Sequence, residues 1–179
     1  VARLFWGRCR IEKTSAYSFY NRDSRIRKLI HNLKYKGIKE IGYDLGKIYG
    51  SSLSKSEFTK GIDLIISVPL HPSKKRKRGF NQSEIIANGM SETTGLPVDN
   101  NVLERITLTE TQTNRSRYER WTNVEGIFKV KDPAIIKDKH ILLVDDVITT
   151  GSTLESCATE LLKTEGVKVS VAALAVAVV

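Results

Sequence analysis

Residues 141–153 read ILLVDDVITTGST, and this stretch decides the fold. Ile141, Leu142, Leu143 and Val144 form an apolar run of the length expected for a strand buried on both faces of a parallel sheet. Two adjacent carboxylates, Asp145 and Asp146, close that run. After Val147 and Ile148 comes a small hydroxyl-rich turn, Thr149, Thr150, Gly151, Ser152 and Thr153. The turn opens a segment whose Leu154, Cys157, Ala158 and Leu161 repeat at helical spacing. Strand, polar turn and helix in this order form the unit that binds ligands at strand C-termini in open α/β sheets.

A turn entering a helix directs unpaired backbone N–H groups and the positive end of the helix dipole outward. Gly151 lets the backbone approach an anion closely, so the turn suits a monophosphate. The two carboxylates can accept hydrogen bonds from vicinal hydroxyls, with or without a divalent cation. A diol site beside a phosphate site describes ribose 5-phosphate. The stretch is neither a GxxxxGK[ST] triphosphate loop nor a GxGxxG dinucleotide turn.

A second apolar run, IDLIISV at residues 62–68, predicts another central strand, broken at Pro69-Leu70-His71-Pro72. Five consecutive cations follow at residues 74–78, before Gly79, Phe80, Asn81 and Gln82. Such a run taken alone is a solvated loop or a nucleic-acid patch, and its place after a strand end favours pyrophosphate.

The sequence at residues 141–153 resembles the type I phosphoribosyltransferases, with their apolar run, acidic pair and TTG[SA]T-like loop. The resemblance implies that Asp145 and Asp146 hold the ribose hydroxyls of phosphoribosyl pyrophosphate (PRPP), with magnesium bound through PRPP. It gives the 5-phosphate to Thr149, Thr150, Gly151, Ser152 and Thr153. VPLHP, RGFNQ, the earlier LKYKG and the stretch TETQTNRSRYERWTNVEGIF are together similar to the ComF/GntX family. Thr111, Gln112, Arg120 and Asn123 match residues that recur in that family. Related enzymes carry a mobile catalytic loop there, and the polar residues 107–123, with Arg115, Arg117 and Arg120, suit a lid over an anionic intermediate. As an enzyme, the chain is expected to release pyrophosphate from C1 of PRPP and to add an amine or base nitrogen there. Pro69, Leu70, His71, Arg78 and Arg120 are then the groups that meet the developing charge; no residue stands out as a general base. The ComF resemblance also implies a link to natural transformation, so the alternative is a DNA-handling accessory that keeps the PRPP site as a sensor.

Many members of that family begin with a cysteine-rich zinc finger. This chain has only Cys9 and Cys157, neither with a partner at ligand spacing, so no zinc site is expected. Cys157 falls on the apolar helical face and is read as core. Opening at Val1, the sequence is expected to be a fragment. At 179 residues and 40% hydrophobic composition it can bury a core without disulfides or metal. It contains no signal peptide pattern and no apolar run long enough to span a membrane. Unpaired cysteines fit a reducing compartment, and a cytoplasmic location is expected.

The net charge of +9 is concentrated at the N-terminus, with +8 of it in residues 1–36. There Asp23 is expected to cap a helix over residues 24–35, whose Ile26, Leu29, Ile30 and Leu33 face inward and whose Arg25, Arg27 and Lys28 face outward. Such a face suits a solvated surface or a hood over PRPP, and alternatively a nucleic-acid backbone, DNA or RNA, single-stranded DNA among them. The expected fold is α/β, a parallel central sheet flanked by helices in one domain, with residues 1–55 as a small hood and 56–179 as the PRPP-binding core. Strands are predicted near residues 16–20, 62–68, 98–106, 126–130 and 140–144 and in the C-terminal VKVSVAALAVAVV. Helices are predicted near 24–35, 38–54, 82–94 and 152–165, the last closed by Gly166.

Overall fold

Leu64–Ser67 (β2), His140–Ile148 (β5) and Lys168–Ala177 (β6) are almost wholly apolar because both sides of the sheet they form are covered. Thr14–Tyr20 (β1) completes that sheet, which is parallel throughout and ordered β1-β6-β5-β2. The structure is a computed structural model, and it describes residues 1–21, 24–106 and 127–177. Strand alternation sorts the core into two clusters. Leu64, Ile66, Ile141, Leu143, Val169 and Val171 pack on one side, under Ser152–Leu161 (α5). Ile65, Leu142, Val144, Ala172 and Leu174 pack on the other, under Arg25–His31 (α1), Lys39–Lys55 (α2) and Gln82–Thr94 (α4). The expected α/β class with a parallel, helix-flanked sheet is what the chain adopts. β1, which lies within residues 1–55, is an edge strand of this same sheet.

Helices α2 and α4 approach so closely that their contact is built of glycine. A Cβ on Gly46 would collide with the carbonyl of Ile86, and one on Gly89 with the carbonyl of Tyr43. Their contact seals the cluster that carries Leu142 and Val144.

Several expected boundaries move, each for a local reason. β5 does not stop at Val144 but continues through both aspartates to Ile148, because β6 stays alongside, pairing Asp145 with Ala173 and Ile148 with Val176. The basic run read as a loop is a helix, Pro72–Arg78 (α3). Proline starts it, His71 caps it, Gly79 at φ 80° ends it, and its last turn carries the cations that a helix C-terminus favours. Helix α1 is followed by a π-helical turn, Asn32–Lys36, and its N-cap position is Ser24, whereas Asp23 lies outside the described residues. Of the strand expected over 98–106, Leu103–Arg105 (β3) pairs antiparallel with Phe128–Val130 (β4), and Val98 makes a lone bridge to Ile65. Helix α5 ends at Leu161; Gly166, at φ 72°, instead turns the chain beside Asp138. Among the described residues no helix is long and apolar enough to cross a membrane.

Candidate functional site

Pairing between β2 and β5 ends at Ser67 and Val144, with one last bond from Val68 N–H to the Val144 carbonyl at 2.9 Å. From Asp145 onward β5 therefore has a neighbour on one edge only, and its carboxylates stand at the opening so created. Asn81, buried and N-capping α4, secures that edge. Its Nδ2 donates to the Val68 carbonyl at 3.0 Å, and its Oδ1 accepts from Ser83 N–H at 3.1 Å. Ser83 is thereby placed to donate from Oγ to Asp145 Oδ1 at 2.9 Å, an oxygen that also accepts from Asp146 N–H at 2.8 Å.

The two aspartates follow strand alternation. Asp145 shares a cleft with the turn after β5, lined by Thr149, Thr150, Gly151, Ser152 and Thr153. Asp146 is buried at 4% exposure, and its Oδ2 lies 2.7 Å from the Lys34 ammonium, an ion pair without the alignment of a hydrogen bond. Burial and the neighbouring Asp146 charge push the Asp145 carboxyl up to about 7, only partly offset by its hydrogen bonds and by Lys34. Asp145 thus holds a proton more tightly than a free aspartate does.

The turn after β5 opens directly into α5. Gly151 is the N-cap of α5 at φ 81°, and no side chain caps the helix. Thr150 Oγ1 accepts from Ser152 N–H at 3.4 Å and lies 3.0 Å from Ser152 Oγ. The N–H groups of Thr153 and Leu154 belong to the first turn of the helix and have no intrahelical acceptor. Behind the turn, Phe5, 2% exposed, would stand 3.4 Å from a Cβ on Gly151.

The second cluster follows the end of β2. Pro69 and Leu70 line a separate cavity of about 490 Å³ with Asn100, Arg105 and Lys131. The His71 ring turns back to its own helix, with Nδ1 2.7 Å from Ser73 Oγ. Arg78 donates to Gln82 Oε1, and its guanidinium lies 5.9 Å from the Tyr35 ring centroid. Arg25, Arg27 and Lys28 are exposed on α1, apart from these contacts. Arg120, with Thr111, Gln112, Arg115, Arg117 and Asn123, lies outside the described residues.

Sequence reasoning did not single out Ser83, Asn81 or Lys34 as site residues. Asn81 lies within RGFNQ and Ser83 directly follows it, at the start of a helix, where capping residues can be read as caps but not as partners of a distant carboxylate. Lys34 lies within LKYKG, quoted above only as part of a resemblance.

The phosphoribosyl transferase domain family matches residues 64–178, the part of the chain that contains both clusters. The chain is 32% identical over 146 residues to the DNA utilization protein YhgH of Salmonella typhi, covering 80% of this chain and 63% of that protein. It is 31% identical over 147 residues to competence protein F of Haemophilus influenzae, covering 78% and 62% respectively. It thus spans just under two thirds of the length of these relatives. A crystal structure of adenine phosphoribosyltransferase is similar at a TM-score of 0.49 and 14% identity, covering 82% of this chain and 74% of that one.

Proposed function

The chain belongs to the phosphoribosyl transferase domain family, and on that premise we propose that it binds PRPP and transfers, or senses, its phosphoribosyl group with release of pyrophosphate. One observation carries this reading: Asp145 and the uncapped Gly151 turn line a single cleft at the C-terminal end of β5. The backbone N–H groups opening α5 and the hydroxyls of Thr150 and Ser152 bind the 5-phosphate. Asp145 and Asp146 take the ribose hydroxyls, Asp146 exchanging its Lys34 contact for a hydroxyl donor.

Magnesium fits the donor set, since two adjacent carboxylates supplement the phosphate oxygens it prefers, and when bound it would offset the charge of the pyrophosphate. Arg78 meets the leaving pyrophosphate, held in place by Gln82 and Tyr35. Backbone donors near Pro69, Leu70 and His71 share that role, and Arg120 is the lid arginine of this reading. A reducing, cytoplasmic compartment suits the free Cys157, which is buried, and Cys9.

The test is calorimetry with magnesium-PRPP and with ribose 5-phosphate. The parent binds both. In the double variant Asp145→Asn/Asp146→Asn, the loss of charge-assisted hydrogen bonds worth roughly 1.5 to 3 kcal/mol each weakens PRPP by at least tenfold. Gly151→Val loses ribose 5-phosphate as well as PRPP, because the turn needs φ 81° and a valine cannot hold it without strain. A folded double variant with parental PRPP affinity overturns the assignment.

A second reading draws on the printed names of the relatives, DNA utilization protein and competence protein. On it, the exposed Arg25, Arg27 and Lys28 bind single-stranded DNA and the PRPP site acts as a sensor. Pyrophosphate release in the presence of an acceptor favours the first reading. PRPP-dependent DNA affinity without turnover favours the second.

A further inference from the structure

Residues 1–13 reach the turn after β5 from behind, and the proposed chemistry uses none of their side chains. Ala2–Leu4 forms a short 3₁₀ turn, and Phe5 follows it. The Phe5 ring is buried while the adjacent Trp6 is 74% exposed, so of two neighbouring rings only one is inserted. Phe5 joins the core cluster that contains Ile148 and Leu154, the residues on either side of the turn 149–153. A Cβ at Gly151 would lie 3.4 Å from Phe5 Cε1, 3.6 Å from Phe5 Cζ and 3.7 Å from Leu4 Cβ. Among the described residues, and apart from the chain neighbours of Gly151, no atom comes nearer to that position.

A second tie lies beside the first: Arg8 Nη1 is 3.3 Å from Oε2 of Glu155, in the first turn of α5. Farther along, Glu12 N–H donates to the Val169 carbonyl at 2.8 Å, and the Lys13 carbonyl accepts from Val171 N–H at 2.9 Å. Residues 1–13 are thus a strap, fixed to β6 at one end and to the start of α5 at the other.

A glycine at φ 81° is free to leave that conformation, and the cost of ordering loose backbone is subtracted from the affinity of any ligand that needs it ordered. No side chain caps α5, so a cap does not hold the turn. A close-packed ring in van der Waals contact with the back of the turn blocks its retreat into the core. Removing the ring leaves a cavity into which the turn can relax, its N–H groups no longer aimed at one point.

We infer that Phe5 is a positioning residue of the site, holding the turn 149–153 in its anion-binding shape through Gly151, with the Arg8–Glu155 pair as a second tie. The inference rests on the PRPP reading, which gives that turn the 5-phosphate. Coupling of this kind is reciprocal, so an anion that selects the ordered turn also stabilises the strap.

The experiment has two arms on the whole chain, both with ribose 5-phosphate. In calorimetry, Phe5→Ala weakens ribose 5-phosphate by about tenfold or more, and Phe5→Leu, which refills most of the space, stays within about threefold of the parent. Ile136→Ala is the comparison. Ile136 is fully buried in the same cluster but follows Pro133–Ile135, a turn that shares a cavity with Glu160 and Thr164 at the far end of α5. This variant lowers the melting temperature as Phe5→Ala does, yet binds within about twofold of the parent. In hydrogen exchange on the parent, saturating ribose 5-phosphate slows the amides of Arg8 and Cys9, both bonded to the Phe5 carbonyl, by about threefold or more. The amides of Ile135 and Ile136 are unchanged.

A folded Phe5→Ala with parental affinity overturns the inference, as does an Ile136→Ala that loses as much. Exchange at Arg8 and Cys9 that ignores the ligand overturns it too, and decides alone should Phe5→Ala fail to fold. In each of these cases the parent still binds and the PRPP reading stands. A parent that binds neither PRPP nor ribose 5-phosphate overturns that reading and the inference with it.

Discussion

Lys34 Nζ stands 2.7 Å from Asp146 Oδ2, so the turn after α1 ends on the central strand of the sheet. Only 6% of the Asp146 side chain and 22% of the Lys34 side chain meet solvent, which makes the pair a desolvated one. Such a pair adds little when intact, yet removing one partner leaves an uncompensated buried charge.

Lys34→Met should therefore destabilise the protein by about 2 to 4 kcal/mol, and adding Asp146→Asn should recover much of that loss. Urea unfolding of the parent, both single variants and the double variant measures the coupling. Additive losses would mean that the pair contributes nothing in solution.

The second prediction concerns pH in the metal-free protein. Asp145 is held up to about 7 in the folded state by burial and by Asp146, against 3.8 for the free side chain. Between these values the folded state binds the proton more tightly than the unfolded state. The contribution of Asp145 to stability is therefore fully present below about pH 4, is lost as pH rises toward 7 and levels off above it. One proton contributes at most about 1.4 kcal/mol per pH unit to that slope. Asp145→Asn should flatten the decline, and thermal unfolding of the two proteins across this range checks it; parallel curves would refute it.

The third prediction tests the glycine contact between α2 and α4. An alanine normally stabilises a helix by about 1 kcal/mol relative to glycine. At Gly46 and Gly89 the new Cβ meets rigid backbone, the Ile86 and Tyr43 carbonyls respectively, and overpacking costs about 1 to 3 kcal/mol or more. The clash should win, so Gly46→Ala and Gly89→Ala should each lower the melting temperature. Alanine at the exposed Gly61, where no atom lies within 4 Å, avoids this clash and meets only the strain of φ +77°. Equal or raised melting temperatures at positions 46 and 89 would show that the helices part easily.

These glycines also show what the sequence conceals. The central strands were legible because burial on both faces leaves continuous apolar runs, as at residues 62–68 and 141–144. The turn into α5 is legible too, since Gly151 and its hydroxyl neighbours form a local signal that the structure renders as a helix start with Gly151 at the N-cap. Gly42, Gly46 and Gly50 recur at helical spacing, but nothing local says which helix they meet. Ser83 and Lys34 reach Asp145 and Asp146 across wide sequence separations, so only the assembled fold relates them. At residues 74–78 the charge masks a helix, whose signals are Pro72, the His71 cap and Gly79.

The last prediction separates the two basic regions. Arg78 is tied to Gln82 and lies over the Tyr35 ring, whereas Arg25, Arg27 and Lys28 are exposed on α1. Only PRPP carries a pyrophosphate, so Arg78→Gln should weaken magnesium-PRPP by about tenfold or more and leave ribose 5-phosphate within about twofold. Arg25→Gln/Arg27→Gln/Lys28→Gln should leave both ligands unchanged. If α1 contacts single-stranded DNA, the triple variant loses DNA affinity, and its log–log salt slope falls by roughly 0.7 for each phosphate contact removed. Calorimetry with the two sugar phosphates and mobility shifts at several salt concentrations read both effects. A triple variant that binds DNA like the parent at every salt concentration would reduce the charge of α1 to solvation, and parental PRPP affinity in Arg78→Gln would remove that residue from the pyrophosphate site.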